Sequence, residues 1–166
     1  NTDDPYLIWI SEVMLQQTRV ETVIPYFENW LQVFPDVFSL SSATEEMILK
    51  QWEGLGYYRR ARNIKKTADI IVNDWGGNLP ETPEDLRRLP GIGEYSSAAI
   101  ASIAFGKNTP ALEANGIRVV ARLFNFQEEI SRAQSKKTLR NYLLRIVEPG
   151  DAGNLNQAVM DLGATL

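Results

Sequence analysis

The sequence predicts an all-α protein, and three observations carry that expectation. Apolar side chains recur at three- and four-residue spacing, as at Val20, Val23, Ile24, Phe27, Trp30 and Leu31. Helix-start signals and helix-stop glycines alternate along the chain. No run of alternating apolar and polar residues marks a series of strands, and no internal repeat is present. Eight to ten short helices are expected.

Taken in order, Asp4-Pro5 is an N-cap and first-turn pair for a helix to about Gln17. Thr18 is a candidate cap for the next helix, which Pro25 kinks or shortens. Ser42 to Glu45 reads as a capping box before Met47, Ile48 and Trp52. Gly54 and Gly56 break that helix. Another runs from about Tyr58 to Asp74 and stops at Gly76-Gly77. Thr82-Pro83-Glu84-Asp85 starts a short helix that ends by Pro90. Residues 96–105 are rich in Ala and Ser and should pack closely against a neighbour. Helices over about 116–126, 135–147 and 154–164 complete the chain, the last two separated by Pro149-Gly150-Asp151.

Composition narrows the chemistry. A 166-residue chain with 44% hydrophobic residues can build a core as one compact domain or two small lobes. No apolar run approaches the ~18 residues of a bilayer span, so no membrane partner is expected. No signal peptide opens the chain, which predicts a cytoplasmic, bacterial nucleoid-associated protein. The abrupt ends suggest a fragment of a longer protein. The chain has no Cys and no His, so it offers no thiolate metal site and no imidazole base. Acid–base chemistry then falls to Asp, Glu, Lys or Tyr. The net charge of −4 counts against a nucleic-acid binder. Against it stands a local basic cluster of Arg59, Arg60, Arg62, Lys65 and Lys66, with Arg87 and Arg88 further on. Such a cluster is either a nucleic-acid footprint or a solvated helix face.

The most informative stretch is residues 89–122. The turn Leu89-Pro90-Gly91-Ile92-Gly93 joins two helical patterns. Gly91 and Gly93 permit positive φ and close backbone approach to a ligand. Amides opening the next helix, with its dipole behind them, suit a phosphate oxygen, and carbonyls of such a turn can hold a monovalent cation. The bland alternative is an ordinary αα turn. A lone carboxylate, Glu113, follows 20 residues after Gly93.

That turn followed by Glu113 resembles the helix–hairpin–helix DNA glycosylases of the endonuclease III superfamily. Within them the chain is most similar to the adenine glycosylases of the MutY family. The closer likeness rests on Trp9-Ile10-Ser11-Glu12-Val13-Met14-Leu15-Gln16-Gln17-Thr18, on Gly54-Leu55-Gly56-Tyr57-Tyr58-Arg59-Arg60-Ala61-Arg62-Asn63, and on Asn156-Gln157-Ala158-Val159-Met160-Asp161-Leu162-Gly163-Ala164. It covers about residues 4–166. The resemblance implies a two-lobed fold, with residues 18–110 as a helical barrel and 1–17 plus 111–166 as the second lobe. It implies a monomer acting on double-stranded DNA that carries a mispair. The activity implied is removal of adenine opposite 8-oxoguanine or guanine.

Residue by residue, Glu12 matches the general acid that protonates the leaving adenine. Its place on a largely apolar helix predicts partial desolvation, which favours a proton donor. Gln16, Gln17 and Thr18 match the segment that enters the duplex where the base is extruded. Leu55, Gly56 and Tyr57 match a second hairpin that wedges beside the opposing base. Leu89, Gly91 and Gly93 match the phosphate-gripping turn. Gln157 matches a position that reads the flipped base, and Asn115 one that orders the sugar side. Tyr95 stands where strand-cleaving relatives carry a lysine nucleophile, which implies monofunctional hydrolysis.

Two departures qualify the likeness. Glu113 replaces the usual Asp, which stabilises the cationic sugar; the extra methylene could displace the carboxylate by about an ångström, a shift that can cost ~100-fold. Retained, weakened catalysis is the favoured reading, beside an engineered substitution and a binding-only paralogue. The four cysteines that hold a [4Fe–4S] cluster in the family would follow Leu166, so no cofactor is expected within this chain. A glycosylase for another mispair, such as thymine opposite guanine, is the competing enzyme reading.

Overall fold

The computed structural model describes residues 3–147 and 151–165. The Pro149-Gly150 break lies outside the described residues. Among them the regular structure is ten α-helices: α1 (Pro5–Leu15), α2 (Val20–Val33), α3 (Val37–Ser42), α4 (Glu45–Gln51), α5 (Arg59–Trp75), α6 (Pro83–Leu86), α7 (Glu94–Phe105), α8 (Ala114–Leu123), α9 (Ala133–Val147) and α10 (Ala152–Thr165). None of the described helices is long and apolar enough to cross a membrane.

Several starts follow the local signals. Asp4 caps α1 by accepting from the Tyr6 amide at 2.8 Å. Thr82 caps α6 by accepting from the Asp85 amide at 3.2 Å. Gly76 ends α5 in the left-handed region at φ 60°. Other signals misled. The residue before α2 is Arg19, with no side-chain cap; the Thr18 hydroxyl instead meets the Gln16 carbonyl and a guanidinium. Ser42 is spent in the last turn of α3, and Thr44 caps α4 by accepting from the Met47 amide. The capping box in this region belongs to Asp36 and Ser39, which open α3, a helix that the sequence analysis does not anticipate. Pro25 sits within α2 on its exposed side, where the Glu21 carbonyl it leaves unbonded can meet water.

The chain forms two compact units, Asn1–Gly93 and Glu94–Leu166. Within the first unit α1 packs on α2 and α5. The first unit is built on three fully buried tryptophans. Trp30 meets Phe34 and Trp52 edge-on, at centroid distances of 4.9 and 5.7 Å. The Tyr6 hydroxyl donates to the Phe34 carbonyl at 2.7 Å and accepts from Trp30 Nε1 at 3.3 Å.

In the second unit α10 packs on α7, α8 and α9. Val120, Leu139, Leu143, Val147 and Ala152 form its core. The small residues of α7 do what their size suggests: residues 96–102 are all buried. A Cβ at Gly153 would lie 2.7 Å from the Ser102 carbonyl oxygen, so α10 approaches α7 at a distance that needs glycine. Gly163 does the same against the backbone of Asn115, at the start of α8.

Candidate active site and nucleic-acid interface

The glycine turn is anchored from inside and open outside. Leu89 and Ile92 are buried; Gly91 and Gly93 are exposed. The Ile92 amide donates to the Leu89 carbonyl at 3.2 Å, which closes the turn. Helix α5 supports it: Thr67 Oγ1 donates to the Pro90 carbonyl at 2.9 Å, and a Cβ at Gly91 (φ 82°) would lie 2.9 Å from the Asn63 side chain. Exposed Arg87 and Arg88 precede the turn, the latter 3.2 Å from Asp85. A rigid turn with outward backbone and nearby cations is suited to a phosphate oxygen.

Still in the first unit, Glu12 is half-buried on α1, whose Tyr6, Ile8, Trp9, Ile10, Val13 and Met14 are buried. Gln16 ends that helix, Gln17 is exposed, and Thr18 is half-buried. Gln17 has φ 58° and Tyr57 has φ 49°, so each of the two predicted base-contacting loops contains a non-glycine residue in the left-handed region. Such a conformation costs about 1–2 kcal/mol and persists only where surrounding contacts enforce it. In the second loop Leu55 is 6% exposed and fills the core, whereas Tyr57 is 62% exposed. Of these two side chains, only Tyr57 is open to solvent. Gly56 is half-buried between them, at φ 77°.

Arg60 was invisible as a special residue in the sequence, being one of five basic residues in a run. It is buried, and burial pushes its guanidinium below the ordinary arginine value. Nη1 donates to the carbonyls of Val13, Met14 and Gln16 at 3.1, 2.7 and 2.7 Å. Nη2 reaches Thr18 Oγ1 at 3.1 Å and the carbonyls of Leu55 and Gly56 at 3.4 and 3.2 Å. Its guanidinium carbon lies 5.1 Å from the Trp52 ring centroid and 5.5 Å from that of Tyr57. The rest of the run divides as well. Arg62 pairs with Glu45, and Lys65 pairs with Asp69 while donating to the Ser41 carbonyl, so these two do not form a free cationic stripe.

In the second unit Glu113 is the N-cap of α8, and its Oε1 accepts from the Gly116 amide at 3.0 Å. The carboxylate is half-buried and held at a helix N-terminus, where the dipole favours negative charge. Asn115 follows, half-buried, its backbone under Gly163. The loop leading to Glu113 is pinned by Asn156, a residue whose role is not visible in the sequence. Its Oδ1 accepts from the Ala111 amide at 3.1 Å; its Nδ2 donates to the Thr109 carbonyl at 2.9 Å and to Ser102 Oγ at 3.0 Å. Gln157 is half-buried and donates to the Gly153 carbonyl one turn back, at 3.2 Å. The Tyr95 hydroxyl lies 2.9 Å from the Met160 sulfur. Tyrosine has no amine, so the position cannot form a Schiff base.

No group of three or more His, Cys, Asp or Glu among the described residues is placed to hold a metal ion. With no cysteine in the sequence, a thiolate-held cluster has no ligands within it.

An all-helical chain with a supported glycine turn and a fixed carboxylate beyond it is the pattern of helix–hairpin–helix DNA repair enzymes. The chain belongs to the HhH-GPD superfamily of base excision DNA repair proteins, whose profile matches residues 10–148. It is 43% identical to human adenine DNA glycosylase over 162 residues, 97% of this chain and 30% of that protein. It is 40% identical to adenine DNA glycosylase of Buchnera aphidicola (Schizaphis graminum), again over 97% of this chain and 46% of the relative. The chain thus spans less than half the length of these relatives. Among solved structures it is similar to a thermostable thymine-DNA glycosylase, with a TM-score of 0.90 and 28% identity over 100% of this chain and 76% of that one.

Proposed function

We propose that this chain is the core of a DNA N-glycosylase that removes adenine mispaired with 8-oxoguanine or guanine by hydrolysis alone. The observation that carries this reading is the 43% identity to an adenine DNA glycosylase across 97% of the chain. The site geometry supports it. The turn at Leu89–Gly93 binds backbone phosphate on duplex DNA. The loops at Gln16–Thr18 and Leu55–Tyr57 enter the stack at the two members of the mispair, and Tyr57 compensates for lost stacking. Gln157 hydrogen-bonds the extruded adenine. Glu12 gives its proton to N7 of that base, and the electron pair of the glycosidic bond leaves with it. Glu113, oriented by the Gly116 amide and assisted by Asn115, stabilises the cationic sugar while water adds and loses a proton, leaving an abasic site.

The test is single-turnover base release from duplexes with adenine opposite 8-oxoguanine or guanine, for the parent chain, Glu113→Asp and Glu113→Gln. Release by the parent that falls by ~100-fold or more in Glu113→Gln is the expected result. A silent parent rescued by Glu113→Asp would identify a binding-only variant. A second reading, thymine removal opposite guanine, is favoured by the 0.90 TM-score to a thymine-DNA glycosylase; thymine release under the same conditions would replace the adenine assignment.

A further inference from the structure

The two loops that meet the mispair are separate in sequence, yet one buried side chain holds both. Arg60 Nη1 binds the Gln16 carbonyl and Nη2 binds the Gly56 carbonyl. Each of those carbonyls belongs to the residue directly before a left-handed non-glycine residue: Gln17 in one loop, Tyr57 in the other. The hydrogen bonds therefore fix the two peptide units whose orientation enforces the strained conformations. The same guanidinium also touches a side chain from each loop, Thr18 Oγ1 at 3.1 Å and the Tyr57 ring at 5.5 Å. Trp52 closes the arrangement, its Nε1 donating to the Gly56 carbonyl at 2.9 Å and its ring lying against Arg60. A planar fork with several fixed donors can span such a set of acceptors; a lysine ammonium, a point charge on a flexible stem, cannot.

We propose that Arg60 is a positioning residue that couples the Gln16–Thr18 loop to the Leu55–Tyr57 loop and thereby sets discrimination between a mispair and a matched pair. The proposal rests on the glycosylase reading for what the loops contact. Its physical content is that neither loop can adopt its left-handed residue independently: loosening one frees donors of Arg60 and loosens the other. Strained segments held by shared contacts have two arrangements rather than a continuum. A correct mispair selects the arrangement in which both loops are seated.

The experiment uses the full chain and Arg60→Lys, Gln17→Ala, Tyr57→Ala and Thr18→Val. Binding is measured to a duplex with adenine opposite 8-oxoguanine and to a matched duplex of the same length. In Arg60→Lys the preference for the mispair should fall by about tenfold, while matched-duplex affinity stays within about twofold, because phosphate contacts dominate it. Thr18→Val, which removes one of the bonds to Arg60 together with the hydroxyl's bond to the Gln16 carbonyl, should give a smaller loss of preference. The effects of Gln17→Ala and Tyr57→Ala should be non-additive in the parent and additive in the Arg60→Lys background, a change that a general loss of stability would not produce. A second arm needs no DNA: Tyr57→Ala should speed hydrogen exchange at the Thr18 amide, and only when Arg60 is present. Parallel losses on both duplexes, additivity in the parent, or unmoved Thr18 exchange would each overturn the coupling. If Arg60→Lys does not fold, Thr18→Val and the comparison of Thr18 exchange between the parent and Tyr57→Ala decide. A parent with no preference for the mispair would sink the functional reading, while the exchange arm would still read the coupling.

Discussion

At Tyr6 a single hydroxyl illustrates how burial turns into a pH dependence. Desolvation raises its pKa well above the ordinary tyrosine value, opposed by the hydrogen bond from Trp30. The neutral phenol is therefore favoured in the folded state. Its contribution is fully present below pH ~10 and is lost as the pH climbs above that, since only the unfolded chain then releases the proton. Urea unfolding at pH 9, 10 and 11 should show stability falling more steeply in the parent than in Tyr6→Phe, by up to about 1.4 kcal/mol per pH unit. Equal slopes would refute this; the constant offset from unpairing Trp30 and Phe34 does not enter. Asn156 is the second decisive residue. Asn156→Ala leaves the Ala111 amide, the Thr109 carbonyl and Ser102 Oγ without it, all on buried residues. A loss of about 3 kcal/mol is expected. On the proposed reading, base release should also slow by ~10–100-fold because the loop entering Glu113 shifts. Unchanged rates in the folded fraction would show that Asn156 serves stability alone.

Helix α10 shows why some glycines in helices cannot be exchanged for a better helix former. Alanine at position 163 would gain about 1 kcal/mol of helix propensity. It would also drive a Cβ into the oxygen and carbon of the Asn115 peptide, and the backbone there has no rotamer with which to yield. Overpacking of that kind costs about 1–3 kcal/mol, so Gly163→Ala should destabilise on balance. Arg118 Nη1, which donates to the Gly163 carbonyl at 2.7 Å, ties the same two helices, so displacement of α10 would be felt at the start of α8, beside Glu113. Calorimetry would check the sign; a higher Tm for Gly163→Ala would contradict it. Element α5 has a comparable double use. Its Asn63 and Thr67 prop the glycine turn, and its first turn carries Arg60 beneath the two loops.

For the whole chain, a net charge of −4 coexists with a proposed DNA-binding role. Locating the charge sharpens this conflict, because the turn that would hold phosphate lies in the same unit as the acidic excess, so the attraction must come from its nearest side chains. The acidic excess belongs to residues 1–93, and acidic and basic side chains nearly balance in residues 94–166. Exposed Arg87 and Arg88 stand beside the turn that would hold phosphate. Binding to duplex DNA should therefore weaken with salt, and Arg87→Ala should reduce the slope of log affinity against log salt by about 1. A slope unchanged by Arg87→Ala would move the phosphate contacts elsewhere.

The helical class, the ends of most helices and the position of the glycine turn were legible in the order of residues because they depend on neighbours three or four places away. Asp4 and Thr82 cap the helices they precede, and Gly76 ends the helix it follows. The family likeness was legible for a similar reason, since it rests on short segments in a fixed order. Where two local signals compete, as at Ser42 and Thr44, the sequence does not say which one the chain uses. Burial is less legible still. Val20 and Ile24 fit the apolar face of α2 yet lie exposed, while Arg60 fits a solvated face yet lies in the core. Nothing near these residues in sequence specifies that, because it depends on packing partners 40 or more residues away, as in the bonds from Arg60 to Met14 and from Asn156 to Ala111. Charge and hydrogen-bonding capacity are properties of a residue; whether they are turned toward water, toward a strained loop or toward the segment that carries Glu113 is settled only when the chain closes on itself.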